Sequence, residues 1–172
     1  PPEPEPPAEP APAAPAFGPF AVAGWPAVGV TVTDVPAVAP TRLRFVLAGA
    51  FVFAPRMLAP VSLRAGLGIE SGAGAALILS LGGSVEFERR WLPWDRPGQK
   101  IGAALDVGLF QGLSGAFRTS WIVRPAGVLV FPIDSEMGLE LHLEPIGLPM
   151  LFGGGWTVVG LEFRVGVRLR LR

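Results

Sequence analysis

Apolar side chains recur at every second position along most of this chain, with glycines and charges between them. That is the period of a strand whose two faces meet different surroundings. In 42–53 one face reads Leu43, Phe45, Leu47, Gly49, Phe51 and Phe53, and the other opens with Arg42 and Arg44. In 61–70, Val61, Leu63, Ala65, Leu67 and Ile69 oppose Ser62, Arg64, Gly66, Gly68 and Glu70. The pattern continues through 75–88, a stretch long for a globular sheet, where Leu77, Leu79, Leu81, Val85 and Phe87 oppose Ser80, Gly82, Ser84, Glu86 and Glu88. Further strands are predicted at 100–111 (Asp106 on the polar face), 115–124 (Arg118, Arg124), 137–143 (Glu140, His142, then Glu144) and 159–171 (Glu162, Arg164, Arg168, Arg170). Residues 17–35 are apolar but interrupted by Pro19 and Pro26, so a first strand is placed near 28–35. The stretch 127–133 either extends the sixth strand or stands alone, giving about eight strands with ten as the alternative. Turns are read between them, including 144–155, EPIGLPMLFGGG.

Composition agrees with many strands and little helix. Gly (23) and Pro (20) are both abundant, and no apolar run is long enough and free enough of Gly, Pro and charge for a membrane helix. Residues 1–16 are only Pro, Ala and Glu and cannot join a core; they read as a disordered, polyproline-like linker preceding a barrel domain over 17–172. The chain starts at Pro1 without a basic and apolar leader, which reads as a mature chain after removal of an export signal. Fourteen basic residues balance fourteen acidic ones, which removes a global electrostatic case for nucleic acid. With no cysteine and one histidine, neither a disulfide framework nor a metal centre is expected, and no cofactor is implied.

Alternation by itself does not say which face is inside. A soluble sandwich or barrel turns the apolar face inward, whereas a membrane barrel inverts it. Three features favour the inverted arrangement. The strands are long enough for tilted spans of about nine to eleven residues. The polar face mixes glycines with near-balanced charge: Arg42, Arg44, Arg64, Arg118, Arg124, Arg164, Arg168 and Arg170 against Glu70, Glu86, Glu88, Asp106, Glu140, Glu144 and Glu162. A narrow lumen has to pair its charges, and the guanidinium fork suits buried carboxylates. Finally, Trp25, Trp91, Trp94 and Trp156 fall at or beyond predicted strand ends, where an interfacial aromatic girdle is expected.

With this pattern, and with its terminal strand GLEFRVGVRLRLR, the chain resembles the small outer-membrane β-barrels of Gram-negative bacteria over roughly 28–172. The resemblance implies an antiparallel up-and-down transmembrane β-barrel of about eight strands with short periplasmic turns and a polar interior. It also implies a place in the bacterial outer membrane, with membrane lipids as partners. His142, between Glu140 and Glu144, would lie in that lumen network; a carboxylate beside an imidazole could orient a base, but no serine lies two residues away, and no catalytic residue is assigned. The basic and tryptophan-rich segment 88–100 could hold anionic headgroups. The expected role is an anchor or interaction barrel with a charge-paired, closed lumen and not a wide pore, its tail offered to a partner in the periplasm. The alternatives are a soluble β-barrel or sandwich binding a small apolar ligand and, third, a lipid-modifying barrel enzyme.

Overall fold

The computed structural model describes residues 17–33, 41–72, 74–89, 97–114, 119–153 and 156–172. Among them are nine strands: β1 (Phe20–Thr33), β2 (Thr41–Phe53), β3 (Val61–Ser71), β4 (Ala76–Glu88), β5 (Lys100–Gly112), β6 (Thr119–Asp134), β7 (Leu139–Gly147), β8 (Met150–Gly153) and β9 (Trp156–Arg170). Consecutive neighbours pair antiparallel, and β1 pairs with β9 from Ala21↔Arg170 to Thr33↔Val158, so the sheet closes on itself. Both β7 and β8 lie between β6 and β9; they are two pieces of one stave, and the barrel has eight staves. The termini share one rim with the β2–β3, β4–β5 and β6–β7 connections. The other four connections form the opposite rim.

Proline chemistry explains where this departs from expectation. The first strand begins at Phe20, not near residue 28, and runs straight through Pro26. Pro26 lacks an N–H, and it sits where the β1–β9 ladder is interrupted between Gly24↔Val167 and Ala27↔Arg164 without a change of register. Pro125 likewise lies inside β6, which continues to Asp134 as one strand and so settles the stave count at eight instead of ten. Its carbonyl accepts from Leu148 N–H at 2.9 Å, where β7 has ended and β8 not yet begun. Pro132 and Pro145 also coincide with register shifts. Of the stretch 144–155, expected to be a turn, the described residues 144–153 are therefore mostly strand, broken at Leu148 and Pro149. At the β6–β7 turn, Asp134 Oδ1 accepts from the N–H groups of Glu136 and Met137, both at 2.9 Å, and Gly138 takes the left-handed conformation (φ 69°) that closes it.

The faces divide as a membrane barrel requires. Leu43, Leu47, Leu67, Leu81, Leu105 and Leu161 point outward, and Leu47 and Leu81 are 65% and 70% exposed. The outward apolar series from Leu43 to Phe53 spans about 33 Å of strand, or about 25 Å of membrane normal at a tilt of about 40°. A surface of this kind is a lipid surface. The same division removes the soluble alternative, which needs these side chains inside. Inside are Arg44, Arg64, Glu70, Asp106, Arg124, Glu144, Glu162 and Arg164, all buried.

The lumen is not polar throughout. Ala27, Val46, Ile78, Phe110, Ile122, Leu151 and Val158 make a buried apolar cluster toward the rim away from the termini. Ala104, Val128 and Val130 form another, and Ala21, Ala23, Trp25 and Val52 a third.

Candidate functional site: the filled lumen

Because every stave turns alternate residues inward, charges far apart in sequence meet across the lumen. Arg64 of β3 grips Asp106 of β5 with two parallel bonds, Nε to Oδ1 at 2.5 Å and Nη2 to Oδ2 at 2.7 Å, and reaches Glu144 of β7 through Nη1 at 2.8 Å. Such bidentate geometry is what a guanidinium provides and an ammonium does not. Arg124 of β6 donates from Nε to Glu162 at 2.7 Å and approaches Glu144 Oε2 at 2.5 Å through Nη2, the latter as an ion pair outside hydrogen-bond geometry. Arg164 donates to Glu162 at 2.6 Å and lies 3.8 Å from Glu144. Arg44 pairs with Glu70 through both Nε and Nη2 and lies 3.6 Å from Glu162. Four guanidiniums and four carboxylates thus form one connected, neutral cluster bridging β2, β3, β5, β6, β7 and β9.

His142 belongs to the edge of this cluster. Its Nε2 lies 3.4 Å from Glu144 Oε1, and its ring meets Trp25 edge-on at 5.2 Å. Buried, with its Nδ1 unpartnered among the described residues, it fills space next to the ion pairs. Among the described residues, no hydroxyl is placed against the ring as a nucleophile.

Toward the rim that carries the termini, a second cluster lines an open vestibule of about 380 Å³. Arg168 donates to both oxygens of Glu86 (2.8 and 2.9 Å) and to Glu140 at 2.6 Å; Arg170 reaches Glu140 at 3.2 Å, and Lys100 stands 4.0 Å from it. Ser62 and Ser84 share a hydrogen bond of 2.8 Å, and Ser84 donates to Glu86 at 3.0 Å.

Several sites expected from sequence fall elsewhere. Trp25 is the clear correction: it is not interfacial but buried inside, 3% exposed, with the Arg64 guanidinium 5.9 Å from its ring centre. The cause is parity, since the strand that begins at Phe20 turns Ala21, Ala23, Trp25 and Ala27 inward. Glu88 is exposed at the rim and not in the network, Arg42 is half-buried at the opposite end of its strand, and Arg170 is only partly covered. Trp156 opens β9. Arg118, Trp91 and Trp94, with most of the basic connection proposed for headgroups, lie outside the described residues. Lys100, Ser62 and Arg56 also line the vestibule and lie outside the expected network. Lys100 shares parity with Asp106, the signal that would have included it.

Comparisons with known proteins add the fold. No family model and no curated protein matches the chain in sequence. Among solved structures, it is similar to the crystal structure of Neisserial surface protein A (NspA), with a TM-score of 0.63, 12% identity, and coverage of 91% of this chain and 99% of that one. At that identity the likeness is one of architecture: the chain has the closed antiparallel barrel of that surface protein, spanned end to end.

Proposed function

We propose that this chain is an outer-membrane barrel whose lumen is closed, and that it serves as an anchor or interaction scaffold instead of a channel, holding its Pro-rich N-terminal segment on the periplasmic side. The observation that supports this best is the neutral cluster of four guanidiniums and four carboxylates spanning the lumen, backed by the apolar layer of Val46, Ile78, Phe110 and Ile122. An ion crossing the barrel would have to break paired charges in a dry interior and then pass a hydrocarbon plug. An eight-stave barrel has an interior just wide enough for side chains to fill it. The fold shared with a surface protein supports the outer membrane as the location.

Single-channel recording on the purified chain in planar bilayers tests the closed lumen. No stable open level is expected under an applied potential; discrete, reproducible open steps would overturn the reading. Protease access to the N-terminal segment in intact and osmotically opened cells tests the topology, with cleavage expected only after opening.

A further inference from the structure

The vestibule at the rim of the termini differs from the central cluster in its charge count. The central cluster is neutral, whereas the vestibule is lined by four cations, Arg56, Lys100, Arg168 and Arg170, and two carboxylates, Glu86 and Glu88, with Glu140 beside them. Glu86 and Glu140 are already engaged. Arg168 takes both oxygens of Glu86 and one of Glu140, and Arg170 takes the other. Lys100 is left with a contact at 4.0 Å, although its side chain is only 18% exposed. Arg170 meets Glu140 through Nε, and 39% of its side chain is open.

Ala21, Val52 and Phe17 give the same space an apolar side, beside the hydroxyl of Ser62. Deeper in the lumen lie Trp25 and the paired charges, so the vestibule is a cup with one mouth.

We propose that this cup is a binding site for a small organic carboxylate bearing an apolar group. Lys100 and the partly exposed Arg170 guanidinium receive the carboxylate, and the apolar tail lies against Ala21 and Val52. A charge-assisted bond to a half-buried ammonium is stronger than one to an exposed ammonium, because water competes less for the donor. About 380 Å³ falls within the range of small-molecule sites. Glu88 stands at the mouth, its Cα paired in register with that of Lys100, and among the described lining residues it is the carboxylate left to compete with the ligand. A neutral alcohol has no charge-assisted partner there, and a cation meets the solvent-exposed Glu88 at the mouth but not Glu86 or Glu140, which are satisfied from within. The proposal goes beyond the closed-lumen reading and stands apart from it: conductance tests that reading, and a binding titration tests this one.

The experiment uses the full chain in nanodiscs of zwitterionic lipid, with methyl groups of alanine and valine labelled for NMR. Hexanoate is the probe, with hexylammonium and hexanol as comparators. Saturable shifts at the Ala21 and Val52 methyls are expected with hexanoate alone. Lys100→Gln is expected to weaken binding about tenfold or more, Arg170→Gln to weaken it less, and Glu88→Gln to tighten it. Retained methyl dispersion verifies that each variant is folded, and Arg170→Gln carries the test if Lys100→Gln does not fold. Equal saturation by hexylammonium or hexanol, no saturable shift with hexanoate, or an affinity unchanged in a folded Lys100→Gln variant overturns the proposal.

Discussion

Glu144 is the carboxylate on which the central cluster turns, and replacing it with glutamine isolates charge from shape. The residue is fully buried and lies 2.8 Å from Arg64, 2.5 Å from Arg124, 3.4 Å from His142 and 3.8 Å from Arg164. Glutamine keeps the volume and one carbonyl acceptor, so no cavity opens. The charge, however, leaves four guanidiniums facing three carboxylates. Breaking a buried pair by removing one partner costs about 3–5 kcal/mol, since the surviving charge stays desolvated. Arg64→Gln in the same chain restores the balance, so the double variant is expected to lose about 1.5–3 kcal/mol less than the two single losses added together. The assay is a urea titration of the barrel in lipid vesicles, followed by near-UV circular dichroism. A lower midpoint at unchanged slope reports stability alone. If Glu144→Gln costs less than about 1 kcal/mol, or if the two losses simply add, each charge is solvated separately. The lumen is then wet, and the argument for closure fails with it.

Three further perturbations probe the wall. Leu81→Arg puts a charge on the lipid face at a position 70% exposed, and is expected to cost about 2–4 kcal/mol near the membrane midplane. On a water-facing surface the same change is nearly neutral. Single-tryptophan variants separate inside from outside: Trp121, 60% exposed, is expected to be quenched by lipids brominated along the chain, and Trp25, 3% exposed, is not. Gly166→Val is expected to cost about 3 kcal/mol or more in the same urea titration. A Cβ there would sit 1.9 Å from the Gly24 carbonyl oxygen and 2.8 Å from the Trp25 ring, at the β1–β9 seam that closes the barrel.

How much of this was legible in the sequence depended on how different the two faces of each strand are. In β3 and β9 the faces differ at nearly every position, and the expected residues, among them Arg64, Glu70, Glu162, Arg164 and Arg168, do point inward. In β1 the inward face is Ala21, Ala23, Trp25 and Ala27, and the outward face includes Phe20, Val22 and Val28. Both faces are apolar there, so parity carried no signal. Treating Pro19 and Pro26 as breaks starts the strand too late and puts Trp25 at the interface instead of inside. A ladder that skips one proline without slipping register leaves no trace in hydropathy. The partners of each charge were illegible for a different reason. Arg64 and Glu144 are brought together by stave order and stagger, which the pattern within one strand does not contain.

The same ambiguity marks where the lumen is sealed. A strand crossing a membrane must be apolar outward, but nothing in that requirement makes its inner face polar; a polar inner face is admissible only where partners meet it across a narrow interior. In β6, Ser120 and Arg124 face inward with Ile122, Ala126, Val128 and Val130, so most of its inner positions are apolar. Leu151 of β8 and Val158 of β9 lie beside it on the same side of the barrel. These staves meet at the break around Leu148 and Pro149, where the ladder shifts register and one backbone bond reaches each flanking strand, from Leu148 N–H to Pro125 and from Gly160 N–H to Pro149. Apolar packing at that place keeps water from the carboxylates of Glu144 and Glu162, and a dry setting is the condition under which their pairing with Arg64, Arg124 and Arg164 is strongest. Seal and ion pairs therefore depend on each other. Widening the seal with Ile122→Ala and Leu151→Ala together is accordingly expected to lower the cost of Glu144→Gln, by admitting the water that solvates the orphaned guanidiniums. An unchanged cost in that background, measured in the same urea titration, would show that the two layers act separately.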